Sequence, residues 1–233
     1  PGPGTFTTTG MQATPVPCAL TTEAIKQTVQ DSTHAARCAI EAGADGVEIH
    51  GANAYLIQQF FAPSANTRTD EYGGSIENRA RFAIEVATAI VEEIGADKTA
   101  IRISPGALLW GIDEGQEGPE LYRYLVKELN KLGLVYLHVM HLGNEELLQD
   151  IRQIWTQALI INRPGRPREN IGTDIESGLA DLESYGQMIL ANPDFVSRLQ
   201  QNLPMNEADN TTYYGGDAQG YVDYPTLNTS TEI

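Results

Sequence analysis

Residues 99–139 read TAIRISPGALLWGIDEGQEGPELYRYLVKELNKLGLVYLHV. Thr99 to Ile103 is short and apolar except for Arg102, as a buried strand would be, and a Gly-rich loop follows it. Pro119 to Leu132 reads as a helix, with proline at its start and Gly133 at its stop. Leu134 to Val139 is a second short apolar run. Strand, loop, helix and strand in this order form one βαβ unit, which places its two strands parallel.

The same unit recurs on both sides. Upstream, Thr21 to Gly43 reads as a helix capped by Thr21 or Thr22, and Val47 to Ile49 as a strand. A long polar loop over 58–75 leads into the helix Ile76 to Ile94, closed by Gly95. Downstream come the helix 145–155, the strand 158–161, a loop with three arginines and a helix ending near Gly178, then the strand 180–184 and the helix 194–202. Regular alternation of strand and helix predicts a parallel sheet covered by helices. Two architectures satisfy it, an open doubly wound sheet and part of a (βα)8 barrel. No strand is followed by the Gly-rich dinucleotide fingerprint. Polar residues instead follow successive strands: His50 and Asn53, Arg102 and Ser104, His138 and His141, Asn162 and Arg163, Tyr185 to Gln187. In a barrel those strand ends share the face that carries the active site, so the expected fold is an α/β (βα)8 TIM barrel, incomplete, with about five βα units, and residues 1–233 form one domain.

Of 233 residues, 41% are hydrophobic and 20% charged, an ordinary globular composition. The net charge of −16 repels nucleic acid and anionic membrane, and neither is an expected partner. No apolar run approaches the roughly 18 residues of a membrane span, and no signal peptide is visible. Cys18 and Cys38 have no metal-ligand spacing, so no metal is expected. Cys38 lies in an apolar helical pattern and reads as a buried thiol, consistent with a reducing, cytoplasmic setting. The chain opens PGPGTFTTTG, a loop without an initiator Met, and reads as starting in the middle of a larger fold.

In the run VEIHGANAYL, Val47–Leu56, a strand ends in His50, with Asn53 and Tyr55 close behind. His50 and Asn53 could both donate to one developing oxyanion, and the Tyr55 phenol could deliver a proton; a structural histidine is the plain alternative. Arg102 in AIRISP needs a carboxylate, such as Glu48, or an electron-rich ligand. The run NRPGRPREN, Asn162–Asn170, is either a phosphate loop using Arg163, Arg166 and Arg168 or a solvated surface loop. In TRTDEYGGSIENRARF, Arg68, Asp70 and Arg79 read as ties between loop and helix, with Ser75 as the helix cap.

The stretch HGANAYLIQQFFAPSANTRTDEYGGSIENRARF, together with AIRISP, ANPDFVSRL, NEADNTTYYGG and GYVDYPTL, resembles the old yellow enzyme family of flavin-dependent ene-reductases, over about Phe6 to Leu227. The resemblance implies an FMN-containing barrel that takes hydride from NAD(P)H and passes it to the β-carbon of an activated alkene, an α,β-unsaturated carbonyl or nitro compound. It implies that His50 and Asn53 bind the substrate oxygen and that Tyr55 protonates the α-carbon. Arg102 would face the flavin, Gly186 and Gln187 would sit in the phosphate loop, and Tyr214 would lie near the substrate pocket. Many members have Gly-Arg where this chain has Gly186-Gln187, and Arg163, Arg166 or Arg168 would then supply the phosphate charge. About three strands that family members carry are not in this sequence, so a chain supplying them is an expected partner. The alternatives are a non-catalytic binding or half-barrel relative and an isomerase working without net reduction. The iron–sulfur relatives are excluded by the lack of their cysteine cluster.

Overall fold

The computed structural model describes residues 5–7, 9–13, 16–214 and 217–227. They fall into two compact units, Val16–Ser184 and a second one made of Pro1–Pro15 with Tyr185–Ile233.

The larger unit is built on a five-stranded parallel sheet in sequential order: β3 (Val47–Gly51), β4 (Thr99–Ile103), β5 (Tyr136–Met140), β6 (Ala158–Asn162) and β7 (Leu182–Glu183). Helices α1 (Thr22–Glu41), α3 (Ile76–Ile94), α4 (Gly118–Asn130) and α5 (Glu145–Ile154) alternate with the strands. Side chains alternate across a strand, and the two faces of this sheet differ sharply. Ile49, Ile101, Ile103, Leu137, Val139, Leu159 and Ile161 are buried in the apolar core on one face. The other face carries Glu48, His50, Arg102 and His138. Strand register aligns His50, Arg102, His138, Ile160 and Leu182 in one row across all five strands. A sheet with an apolar face under helices and a polar face turned away from them is what a barrel wall presents.

The helices form where capping and periodicity placed them. Ser75 Oγ accepts from the Asn78 N–H at the start of α3, and α3 buries Ala80, Phe82, Ala83, Val86, Ala87 and Ile90. Fully burying a side chain such as Phe82 contributes about 2–3 kcal/mol. Thr21 caps α1 in the same way. However, α1 buries only Ile25 and Ala36. It packs along α3, and a cleft of about 500 Å3 opens between α1, α3 and β3, lined by Thr28, Ala35, Val47, Ile49, Phe82 and Val86. The partial contact explains one correction: Cys38 is exposed, not buried. Gly51 is required where it stands, since a Cβ there would lie 2.9 Å from the Arg102 carbonyl oxygen on β4.

The polar loop expected over 58–75 begins instead as a helix, α2 (Leu56–Phe61), because Ile57, Phe60 and Phe61 turn inward. The remainder is tied as expected. Arg68 donates to both oxygens of Asp70 (3.0 and 2.6 Å), and buried Arg79 donates to the Phe61 and Gly74 carbonyls. The helix ending near Gly178 is the single turn α6 (Thr173–Glu176). In the second unit, Thr5–Thr7 (β1) and Gly10–Gln12 (β2) pair antiparallel where an opening loop was expected. Its helices are α7 (Gln187–Ala191), which the sequence did not announce, and α8 (Phe195–Gln200).

Candidate active site

Strand β3 ends at Gly51, and the chain then makes a turn of unusual backbone. Asn53 and Ala54 both sit at positive φ, 56° and 64°. Asparagine tolerates this region and alanine does not, so the pair costs on the order of 1–3 kcal/mol. The turn is held from three sides. The Tyr55 N–H bonds the Ala52 carbonyl at 3.1 Å, the Asn53 N–H bonds Ser104 Oγ at 2.8 Å, and the Ala54 N–H bonds Gln58 Oε1 at 2.7 Å. The turn brings His50 and Tyr55 into edge contact, with ring centroids 5.2 Å apart. Both rings are solvent-accessible.

Two buried polar atoms of this region have no hydrogen-bond partner among the described residues, Asn53 Oδ1 and Arg102 Nε. Buried donors and acceptors are almost always paired in folded proteins, so these orphaned atoms are candidate points of contact for a ligand or an ordered water. The Asn53 amide touches Met140 Sδ through Nδ2 at 3.4 Å. Turning the amide about its last torsion places N–H groups where Oδ1 lies, ready to donate to a ligand oxygen. Arg102 does not form the ion pair with Glu48 that stood as its structural alternative. Glu48 Oε2 instead bonds His138 Nδ1 at 3.0 Å, and His138 Nε2 bonds Ser184 Oγ at 2.8 Å. Burial is the largest single influence on the Glu48 carboxyl and works to raise it, but the bonds from His138 and Tyr136 and the positive charges of His138 and Arg102 together outweigh it and hold the group below its usual value. Burial and Glu48 push the Tyr136 phenol up to about 12. His50 is held below the usual imidazole value, first by burial and then by the positive charge of Arg102. It is therefore mainly neutral near pH 7, a form that offers one ring N–H as a donor.

The loop after β6 differs from expectation. Arg163 donates to Glu145 (2.6 and 3.0 Å) and to Asp174 (2.8 and 3.1 Å). Buried Arg166 is paired with Asp174 and Glu183. Two of the three guanidiniums read as open to a phosphate, those of Arg163 and Arg166, are thus held by the three carboxylates Glu145, Asp174 and Glu183. Arg168 opens a short 3-10 turn in the same loop. Gly186 caps α7 and Gln187 begins it, and Tyr214 is exposed; all three belong to the second unit. Sequence reading missed Gln58 and Glu114, both buried. The adjacent pair of glutamines in LIQQFF, a run otherwise apolar, was the available signal.

Residues 3–206 match the NADH:flavin oxidoreductase / NADH oxidase family. The chain belongs to that family, whose members depend on FMN and take hydride from a nicotinamide. It is 41% identical over 225 residues to 12-oxophytodienoate reductase 2 of Arabidopsis thaliana, covering 92% of this chain and 59% of that protein. It is 43% identical over 222 residues to 12-oxophytodienoate reductase 1 of Oryza sativa subsp. japonica, covering 91% and 58%. Among solved structures it resembles morphinone reductase in complex with tetrahydroNAD, with a TM-score of 0.90 and 38% identity over 96% of this chain and 62% of that one. The old yellow enzyme homologue from Zymomonas mobilis gives a TM-score of 0.87 and 32% identity, over 94% and 63%. The chain therefore spans about 60% of the length of these relatives, and its sheet is part of a TIM barrel.

Proposed function

We propose that this chain carries the C-terminal part of an FMN-dependent ene-reductase, acting on α,β-unsaturated carbonyl or nitro compounds with NADH or NADPH. The observation that carries the reading is the buried, unpartnered Nε of Arg102, in strand register with His50. A guanidinium donor of that kind suits the electron-rich N1–O2 edge of a flavin. FMN, held by Arg102, would supply hydride transfer from the nicotinamide to the alkene β-carbon.

The chain's own residues do the rest. Neutral His50 and Asn53 donate to the substrate oxygen and stabilise the negative charge that grows there. Tyr55, held in edge contact with His50, places its phenol proton for the α-carbon. Arg163 and Arg166, locked to carboxylates, order the loop on the phosphate side. Gly186 and Gln187 as phosphate contacts, and Tyr214 at the substrate, are carried by the sequence resemblance. Residues 1–233 act as one FMN-binding domain in the cytoplasm. Its partner is a segment or chain that supplies further strands, seated on the β3 edge beside the apolar cleft. A second reading, a binding relative that holds no flavin, draws support from the excess of carboxylates around Arg163 and Arg166.

The test is FMN titration, followed by flavin fluorescence, of the wild-type chain against Arg102→Ala. Binding weakened at least tenfold in the variant is expected. No binding to either protein, or equal binding to both, contradicts the reading.

A further inference from the structure

The strained turn at Asn53 and Ala54 rests on a buried polar network that reaches into the next βα loop. Gln58 is fully buried, and its side chain is used on both sides. Its Oε1 accepts from the Ala54 N–H at 2.7 Å and from Ser104 Oγ at 3.0 Å. Its Nε2 donates to the Ser104 carbonyl at 3.1 Å and to Glu114 Oε1 at 2.7 Å. Ser104 Oγ, also fully buried, accepts in turn from the Asn53 N–H. Glu114 comes from the loop after β4. It is buried, takes the Tyr122 hydroxyl on Oε1, and takes the Gly106 N–H on Oε2 at 2.8 Å. Ile112 of the same loop packs in a small apolar cluster with Ala54 and Ala62.

The bonds of Gln58 and Ser104 reach the turn and the root of the loop, and Glu114 ties that loop to Gly106 and to Tyr122 of α4. The geometry points to Gln58, Ser104 and Glu114 as positioning residues: they hold Asn53 in its left-handed conformation and lock the loop Pro105–Glu117 to the turn that carries Asn53 and Tyr55. Their effect on chemistry rests on the ene-reductase reading, but their effect on geometry does not. Without the Ser104 hydroxyl and the Gln58 carbonyl, the turn loses the two side-chain bonds to the Asn53 and Ala54 N–H groups that offset their positive φ. The turn relaxes, and Asn53 loses the approach by which it and His50 reach one oxygen.

The experiment compares Ser104→Ala, Ser104→Thr, Gln58→Ala and Glu114→Gln by amide hydrogen exchange in the flavin-free chain. Protection at Asn53 and Ala54 is expected to fall at least tenfold in Ser104→Ala and Gln58→Ala. It returns in Ser104→Thr, which keeps the hydroxyl, and the β3–β4 ladder amides stay unchanged in all four. In Glu114→Gln the exposure appears at Gly106 first. A second arm measures turnover of an activated alkene: kcat is expected to drop about tenfold in Ser104→Ala at unchanged FMN affinity, and to recover in Ser104→Thr. Unchanged exchange at 53 and 54, or equal loss across the ladder, overturns the proposal. Altered exchange without turnover in any variant or in the wild type leaves the geometry standing and removes only the ene-reductase reading.

Discussion

His50 illustrates how a single side chain takes its properties from neighbours distant in sequence. Burial and Arg102 keep it neutral, and burial and Arg163 do the same for His141. Both folded values lie below the ordinary one near 6.5, so the unfolded chain binds these two protons first as the pH falls. Stability therefore rises with pH up to about 6.5 and is flat above it. A second loss follows in more acid solution, as Glu145, held low by its Arg163 bond, protonates. Urea midpoints are expected to agree at pH 7 and 8 and to be lower at pH 5; a higher midpoint at pH 5 than at pH 7 contradicts the assignment. At this scale the sequence was legible in part. His50, Asn53, Tyr55 and Arg102 could be singled out because each breaks a local apolar pattern. The fate of Arg163 and Arg166 could not, because their carboxylates, Glu145, Asp174 and Glu183, lie 8 to 18 residues away, and a run of arginines looks basic until its partners are placed.

Among the elements, the long helix α3 and the strands β3 to β6 were readable because cap, apolar period and closing glycine agree along each of them. Two of the short helices were not. The six-residue α2 and the five-residue α7 carry too few turns for a period to show. The segment between α2 and α3 is nonetheless fixed, and Arg79 is its anchor. The residue is 1% exposed, and it bonds the Phe61 carbonyl at 2.6 Å, the Gly74 carbonyl at 3.1 Å and Glu117 at 2.7 Å. Replacing it with alanine leaves two carbonyls without donors and a cavity between helices, an expected loss of about 2–4 kcal/mol. The urea midpoint at unchanged slope measures it, and a loss below about 0.5 kcal/mol would show that the loop is held by something else. α1 makes the complementary point: its apolar pattern was read correctly as a helix, but the depth of its burial depends on what lies beside β3, and Cys38 stays exposed.

For the molecule as a whole, β/α alternation and the polar residues after each strand were enough to argue for a partial barrel. The sheet order β3-β4-β5-β6-β7 and its two unlike faces agree with that argument. The row of His50, Arg102 and His138 across neighbouring strands depends on register, which no local pattern specifies. We propose that this row and the turn beside it make an ene-reductase site. Its most direct test is an anaerobic visible spectrum of the FMN-loaded, desalted chain, followed through addition of NADPH and then of a nitroalkene or an enone. A retained flavin band that bleaches with NADPH and returns with the alkene is expected, the return being at least tenfold slower in Tyr55→Phe. A band that bleaches and then ignores every activated alkene, or that returns equally fast in Tyr55→Phe, contradicts it.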